Sequence, residues 1–284
     1  MPRQPARTPW NGKPVAPPRV IRFPRRSRFG VLLLLGLALA FSPSSSPTTQ
    51  AGPTPDPTRR PGAPGMLEPH TGSLLVDYYE TYLRDHDIDS YRRHVSARYM
   101  EGTLARLVEA PNPQARRAAL LALGLFGSYN VNSSVARALR DPDPTVRSLA
   151  DNALWAIWFR ADTAENNATL ERVSTLVSQQ RFEDAIALAS RLIDKAPKFA
   201  EAYNQRAIAR YYLGRFADSA EDCNLVLDRN PFHVGALAGL AKSQIRLGRR
   251  QAAIKTLKRA TKLQPFNRDL TQWIAALEGE GDEP

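Results

Sequence analysis

The chain of 284 residues has one cysteine, Cys223, and four histidines, His70, His86, His94 and His233. No cysteine pair exists to complete a zinc site, and the histidines show none of the spacings of metal ligands. No Gly-x-Ser-x-Gly elbow presents a nucleophile, and no glycine-rich loop can cradle a phosphate. Asp85, Asp87 and Asp89 have the opening spacing of a calcium loop. Ser90, however, replaces the required glycine, and Ser96 stands where the bidentate glutamate belongs. That run reads as a solvated helix cap, and Cys223 as a buried structural thiol. No catalytic residue, metal or cofactor is expected.

A long apolar run is also missing. The longest, Phe29 to Phe41, has 13 residues, or roughly 20 Å of helix, where a bilayer needs about 20 residues. Eight Arg or Lys and no acid precede it in residues 1–29, and Ala38 and Ala40 supply an Ala-x-Ala cleavage pattern. Arg25–Arg26 hints at a twin-arginine signal. No cysteine follows the run, so lipid attachment there is excluded. Residues 1–41 are therefore expected to export the chain to the cell envelope or medium. The alternatives are tethering through 29–41, or a cytoplasmic product begun at Met66. Residues 42–72 are rich in Pro, Ser, Thr and Gly and read as a disordered linker.

The formal charge of +11 divides unevenly. Residues 1–29 hold +8, residues 66–165 net −2, and residues 166–284 net +4. The part expected to fold is only mildly basic, which argues against nucleic acid as the partner.

What the chain does have is repetition. Pro197, Pro231 and Pro265 lie 34 residues apart, each closing the same helical pattern. A fixed period of this length marks a two-helix repeat that stacks into a solenoid. Gln180, Gly214 and Gly248 fall at the turn between the two helices. Val173, Ala207 and Ala241 on the first helix face Ala185, Ser219 and Ala253 on the second, where the pair must approach closely. The stretch Ala200 to Cys223, "AEAYNQRAIARYYLGRFADSAEDC", resembles the tetratricopeptide repeat in its Ala-Glu-Ala-aromatic opening, its small residue Ala207 and its turn at Gly214 and Phe216. The first unit departs at Thr169, where an aromatic is usual, but keeps register at Phe182, Ala185 and Pro197.

A second period precedes it. "APNPQARRAALLALG" (110–124) recurs as "DPDPTVRSLADNALW" (141–155), an offset of 31. Asn112 and Asp143 read as N-caps, each followed by proline at the first helical position. This is similar to short HEAT-like repeats. The resulting layout is capping helices over 73–103, two HEAT-like repeats over 104–165, three tetratricopeptide repeats over 166–265, and a capping helix with an acidic tail over 266–284. Helices are read at Ser73 to Arg84, Ser90 to Met100 and Asp269 to Leu277. The fold class is all-α, a right-handed α-solenoid of helix-turn-helix repeats that runs on without a break between the two repeat types.

The resemblance implies a protein-interaction scaffold whose first helices line a concave groove. The groove positions map to Asn167, Leu170, Ser174 and Ser178, then Glu201, Asn204, Ile208, Tyr211 and Tyr212, then Gly235, Ala238, Lys242, Ile245 and Arg246. Capture of a peptide or helix of another protein is expected to centre on Tyr211, Tyr212, Lys242 and Arg246. The family's clamp for acidic chaperone tails is absent, since its five positions hold Leu170, Ser174, Gln205, Gly235 and Gly239. The alternative is a polyanion- or membrane-surface-binding face of Lys255, Lys258, Arg259 and Lys262, spaced to share one side of the last unit's second helix.

Overall fold

The computed structural model describes residues 73–279. The expected leader, the linker and the end of the acidic tail lie outside the described residues. Among the described residues the chain is all-helical, an α-solenoid of stacked hairpins without a strand. No helix there is long and apolar enough to cross a membrane.

Helices α1 (Leu74–Asp85) and α2 (Ile88–Ser96) form the first hairpin. His86 ends α1 in the left-handed region at φ 56°, and the Asp87 side chain caps α2 by accepting from the Ser90 N–H. Tyr79, Tyr82 and Tyr91 are buried between them, and the Tyr91 hydroxyl donates to the Ala118 carbonyl at 2.7 Å. The second helix stops at Ser96 rather than at Met100, which lies exposed just before α3.

The HEAT-like pair follows: α3 (Glu101–Leu107) with α4 (Pro113–Phe126), then α5 (Asn132–Arg137), flanked by 3-10 turns, with α6 (Pro144–Phe159). The 31-residue offset is visible in the bonds. Asn112 accepts from the Gln114 N–H, and Asp143 from those of Thr145 and Val146. Arg116 donates back to the Ala110 and Pro111 carbonyls, as Arg147 does to those of Asp141 and Pro142. Arg116 then pairs with Asp141, and Arg117 with Asp143, which ties the first repeat to the second.

Three longer hairpins complete the stack: α7 (Ala164–Ser178) with α8 (Phe182–Lys195), α9 (Ala200–Tyr212) with α10 (Phe216–Arg229), and α11 (Val234–Arg246) with α12 (Arg250–Leu263). Gln180, Gly214 and Gly248 all take positive φ, at 61°, 76° and 71°. Glycine enters that region without strain, so the first turn, with glutamine, is the least comfortable of the three. Val173, Ala207, Ala241, Ala185, Ser219 and Ala253 are all buried, and the Ser219 hydroxyl donates to the Ala207 carbonyl at 2.9 Å. α13 (Arg268–Gly279) closes the array, burying Leu270 with Trp273, Ile274 and Leu277 partly covered.

The two repeat types meet over more than the short junction between α6 and α7. α6 lies against the loops that begin α11 and α13. Trp158 stacks on His233 at 4.1 Å, and the Arg147 guanidinium sits over the Phe266 ring at 4.4 Å. Any side chain at Gly235 would place its Cβ 3.0 Å from the Trp155 ring. Just before α6, Tyr129 donates to the Arg229 carbonyl, and Asn132 to Asn230. The HEAT-like pair thus braces one edge of the longer repeats.

Candidate functional site

The proposed groove positions fall into two groups. Toward the start of the first helices they are closed. Leu170 is fully buried in the core, and Asn204 is buried while donating to Glu201 Oε1 at 2.9 Å. Neither can meet a partner, which corrects the expectation for both. The physical reason for Asn204 is the brace: Glu201 is itself buried, taking Gln205 on Oε1 and His233 on Oε2, and His233 lies under Trp158. Asn167 is half-buried and turned on its own helix start, donating to the Asp162 carbonyl and accepting from its N–H. Ser174 and Ala238 are half-buried, and Ser178 is exposed but donates to the Thr175 carbonyl.

Toward the helix ends the surface is open. Tyr212 is 52% exposed, and Arg246 is exposed, while Ile208, Tyr211, Lys242 and Ile245 are half-buried. Two phenylalanines draw this set together. Tyr212 stacks on Phe182 at 5.1 Å, Tyr211 meets Phe216 edge-on at 5.3 Å, and the Arg246 guanidinium covers Phe216 at 4.3 Å. Tyr211 and Arg246 therefore border one ring although they belong to different repeats. Lys242 lies 5.8 Å above the ring of Trp273, and burial holds its ammonium below the usual lysine range.

The helix pair behind this surface is fixed by Asp222. Its fully buried carboxylate accepts two bonds from Arg206, at 2.7 and 3.0 Å, and one from Arg210 at 2.8 Å. Burial opposes the Arg206 charge, but the bond and charge of Asp222 outweigh it and raise the guanidinium above its ordinary value.

Lys255, Lys258, Arg259 and Lys262 are all exposed on α12, as their spacing requires, and Lys258 pairs with Glu278 of α13 at 2.8 Å. No group of three or more His, Cys, Asp or Glu among the described residues is placed to hold a metal ion. Sequence reasoning did not find Trp273 beside Lys242, nor the supporting role of Phe182 and Phe216, which it used only as register marks.

Stacked two-helix units with aromatic and cationic side chains at the open ends of their first helices define a helical-repeat scaffold. Family profiles agree: HEAT repeats match residues 100–173, and the tetratricopeptide repeat matches 170–234 and 204–268. The chain is a tetratricopeptide-repeat protein with HEAT-like repeats upstream. A tetratricopeptide repeat-containing protein of Rhizobium etli is 26% identical over 138 residues, 49% of this chain and 68% of the relative. Among solved structures, the first tetratricopeptide domain of Spaghetti, bound to an HSP90 peptide, is 23% identical at a TM-score of 0.40, covering 42% of this chain and 94% of that one. The TPR2AB-domain complex of yeast Sti1 with pHSP90 is 16% identical at 0.38, covering 74% and 96%. A tetratricopeptide-repeat protein of Thermus thermophilus is 17% identical at 0.33, covering 72% and 95%.

Proposed function

We propose that this chain is a non-catalytic scaffold that takes an extended peptide or a helix of a partner protein across the open ends of α9 and α11. The observation that carries this reading is the continuous row of Phe182, Tyr212, Tyr211, Phe216 and Arg246, half-open to solvent at the only end of the groove that α6 leaves uncovered among the described residues. Aromatics with a polar tip and a stacked arginine are the side chains that concentrate binding energy at interfaces. Neighbouring first helices pack about 8–10 Å apart, so an extended ligand crosses one repeat in about three residues at roughly 3.3 Å each. The footprint is short because the brace closes the rest.

Selection of a random peptide library on the full-length chain tests this. Enriched peptides should lose at least tenfold in affinity with Arg246→Glu or Ile208→Glu and be indifferent to Lys255→Glu with Lys262→Glu. The reverse pattern, with binding lost steeply as salt rises, supports the other reading, a polyanion- or membrane-surface module on α12. The observation on that side is the exposure of Lys255, Lys258, Arg259 and Lys262 on one helix. In either case the leader would place the scaffold in the cell envelope or at a membrane, and N-terminal sequencing of the mature protein tests cleavage after Ala40.

A further inference from the structure

Between Arg229 and Arg268 the sequence carries eight Lys or Arg and no acid. The hairpin gathers part of this charge at one end. Arg246 closes α11, Arg249 and Arg250 open α12, and Lys255 is exposed one turn further on. The equivalent helices α8 and α10 carry acids in their first turns, Glu183 and Asp184 in one and Asp218 in the other; α12 carries none.

The chain leaves α13 beside this charge. α13 returns antiparallel to α12 after a short loop, and its last acid, Glu278, already reaches Lys258 at 2.8 Å. The next residues are Glu280, Gly281, Asp282 and Glu283. Five residues past Gly279 span up to about 17 Å, while the stretch of α12 from Lys258 back to Arg250 is roughly 12 Å long.

We infer that the acidic segment 280–283 docks back on the opening turns of α12, as an internal counterion over Arg249, Arg250 and Lys255. Tethering gives such a segment a local concentration on the order of millimolar, so even weak pairing covers the site most of the time. The segment then supplies the acid that the first turn of α12 lacks, and an external anion must displace it. This inference does not depend on peptide binding at α9 and α11.

Two measurements on the full-length chain decide it. Carbodiimide cross-linking of mixed light and heavy isotopic preparations, read by mass spectrometry, should join carboxylates of 280–283 to Lys255 or Lys258 within one chain. The Glu278–Lys258 link serves as the internal control. Binding of fluorescent poly-L-glutamate should tighten about three- to tenfold in the Glu280→Gln, Asp282→Asn, Glu283→Gln variant at low salt, and the gap should close at high salt. Cross-links only between chains would show that a second copy is the occupant. That result, or the absence of links from 280–283, or equal glutamate affinity in both proteins, overturns the inference.

Discussion

Tyr212 and Phe182 lie ring on ring, 5.1 Å apart and within 8° of parallel. One period later, Arg246 occupies the place of Tyr212 and Phe216 that of Phe182, and the guanidinium sits 4.3 Å above the ring. The same joint is thus made twice with different chemistry. In each case the last residue of a first helix rests on the first residue of the preceding repeat's second helix. The side chains offered to a partner are also struts between repeats.

Tyr212→Phe keeps the stack and should leave the urea midpoint unchanged. Tyr212→Ala removes it and should cost about 0.5–1.5 kcal/mol. An alanine variant as stable as the parent would show that the stack holds nothing together.

The junction at His233 should weigh more. Its Nδ1 accepts from the Ala236 N–H, so the ring proton sits on Nε2 and is donated to Glu201 at 2.8 Å. Both side chains are fully buried. His233→Ala strips one donor from an enclosed carboxylate and the stacking partner from Trp158, an expected loss on the order of 3 kcal/mol. Urea unfolding followed by circular dichroism measures it, and an unshifted midpoint would remove the brace from this account.

Asp143 gives the stability its acid limb. Burial works to raise its carboxyl, but the bond from Arg117 and those from the Val146 and Thr145 N–H groups outweigh it and hold the carboxyl below the usual range. Because the folded value is the lower one, the stabilisation is complete above the unfolded value of about 3.9. It is lost as pH falls from there through the folded value. Asp143→Asn keeps a capping oxygen and should flatten the pH dependence of the melting temperature below about pH 5. Asp143→Ala should lose about 1 kcal/mol more at neutral pH.

Cys223 should be silent in the native protein. Burial pushes its thiol up to about 12, with the Asp222 carboxylate adding to the effect. A disulfide reagent at neutral pH should find no thiol before denaturant is added and one afterwards. Prompt native reaction would mean that α10 opens.

Most of the fold could be read because it repeats. The 34- and 31-residue offsets marked the turns at Gly214 and Gly248 and the caps at Asn112 and Asp143, since each residue has a counterpart in the same role. The brace has no counterpart. The residues one period from His233 are Phe199 and Asn267, and the one 31 before Trp158 is Gly127, so self-similarity is silent about their contact. The groove was drawn as if its first helices were bare along their length. Tyr212 and Arg246 lie beyond the reach of α6, whereas Asn204 lies behind His233 and Trp158.

The central claim is that binding is confined to the uncovered ends of α9 and α11. Hydrogen–deuterium exchange of the full-length chain, with and without a peptide taken from the library selection, tests it most directly. Slowed exchange should appear at 205–213 and 239–247 and leave α6 and the outer face of α12 unchanged. Protection centred on 250–262, or none at 205–213 and 239–247, would contradict it.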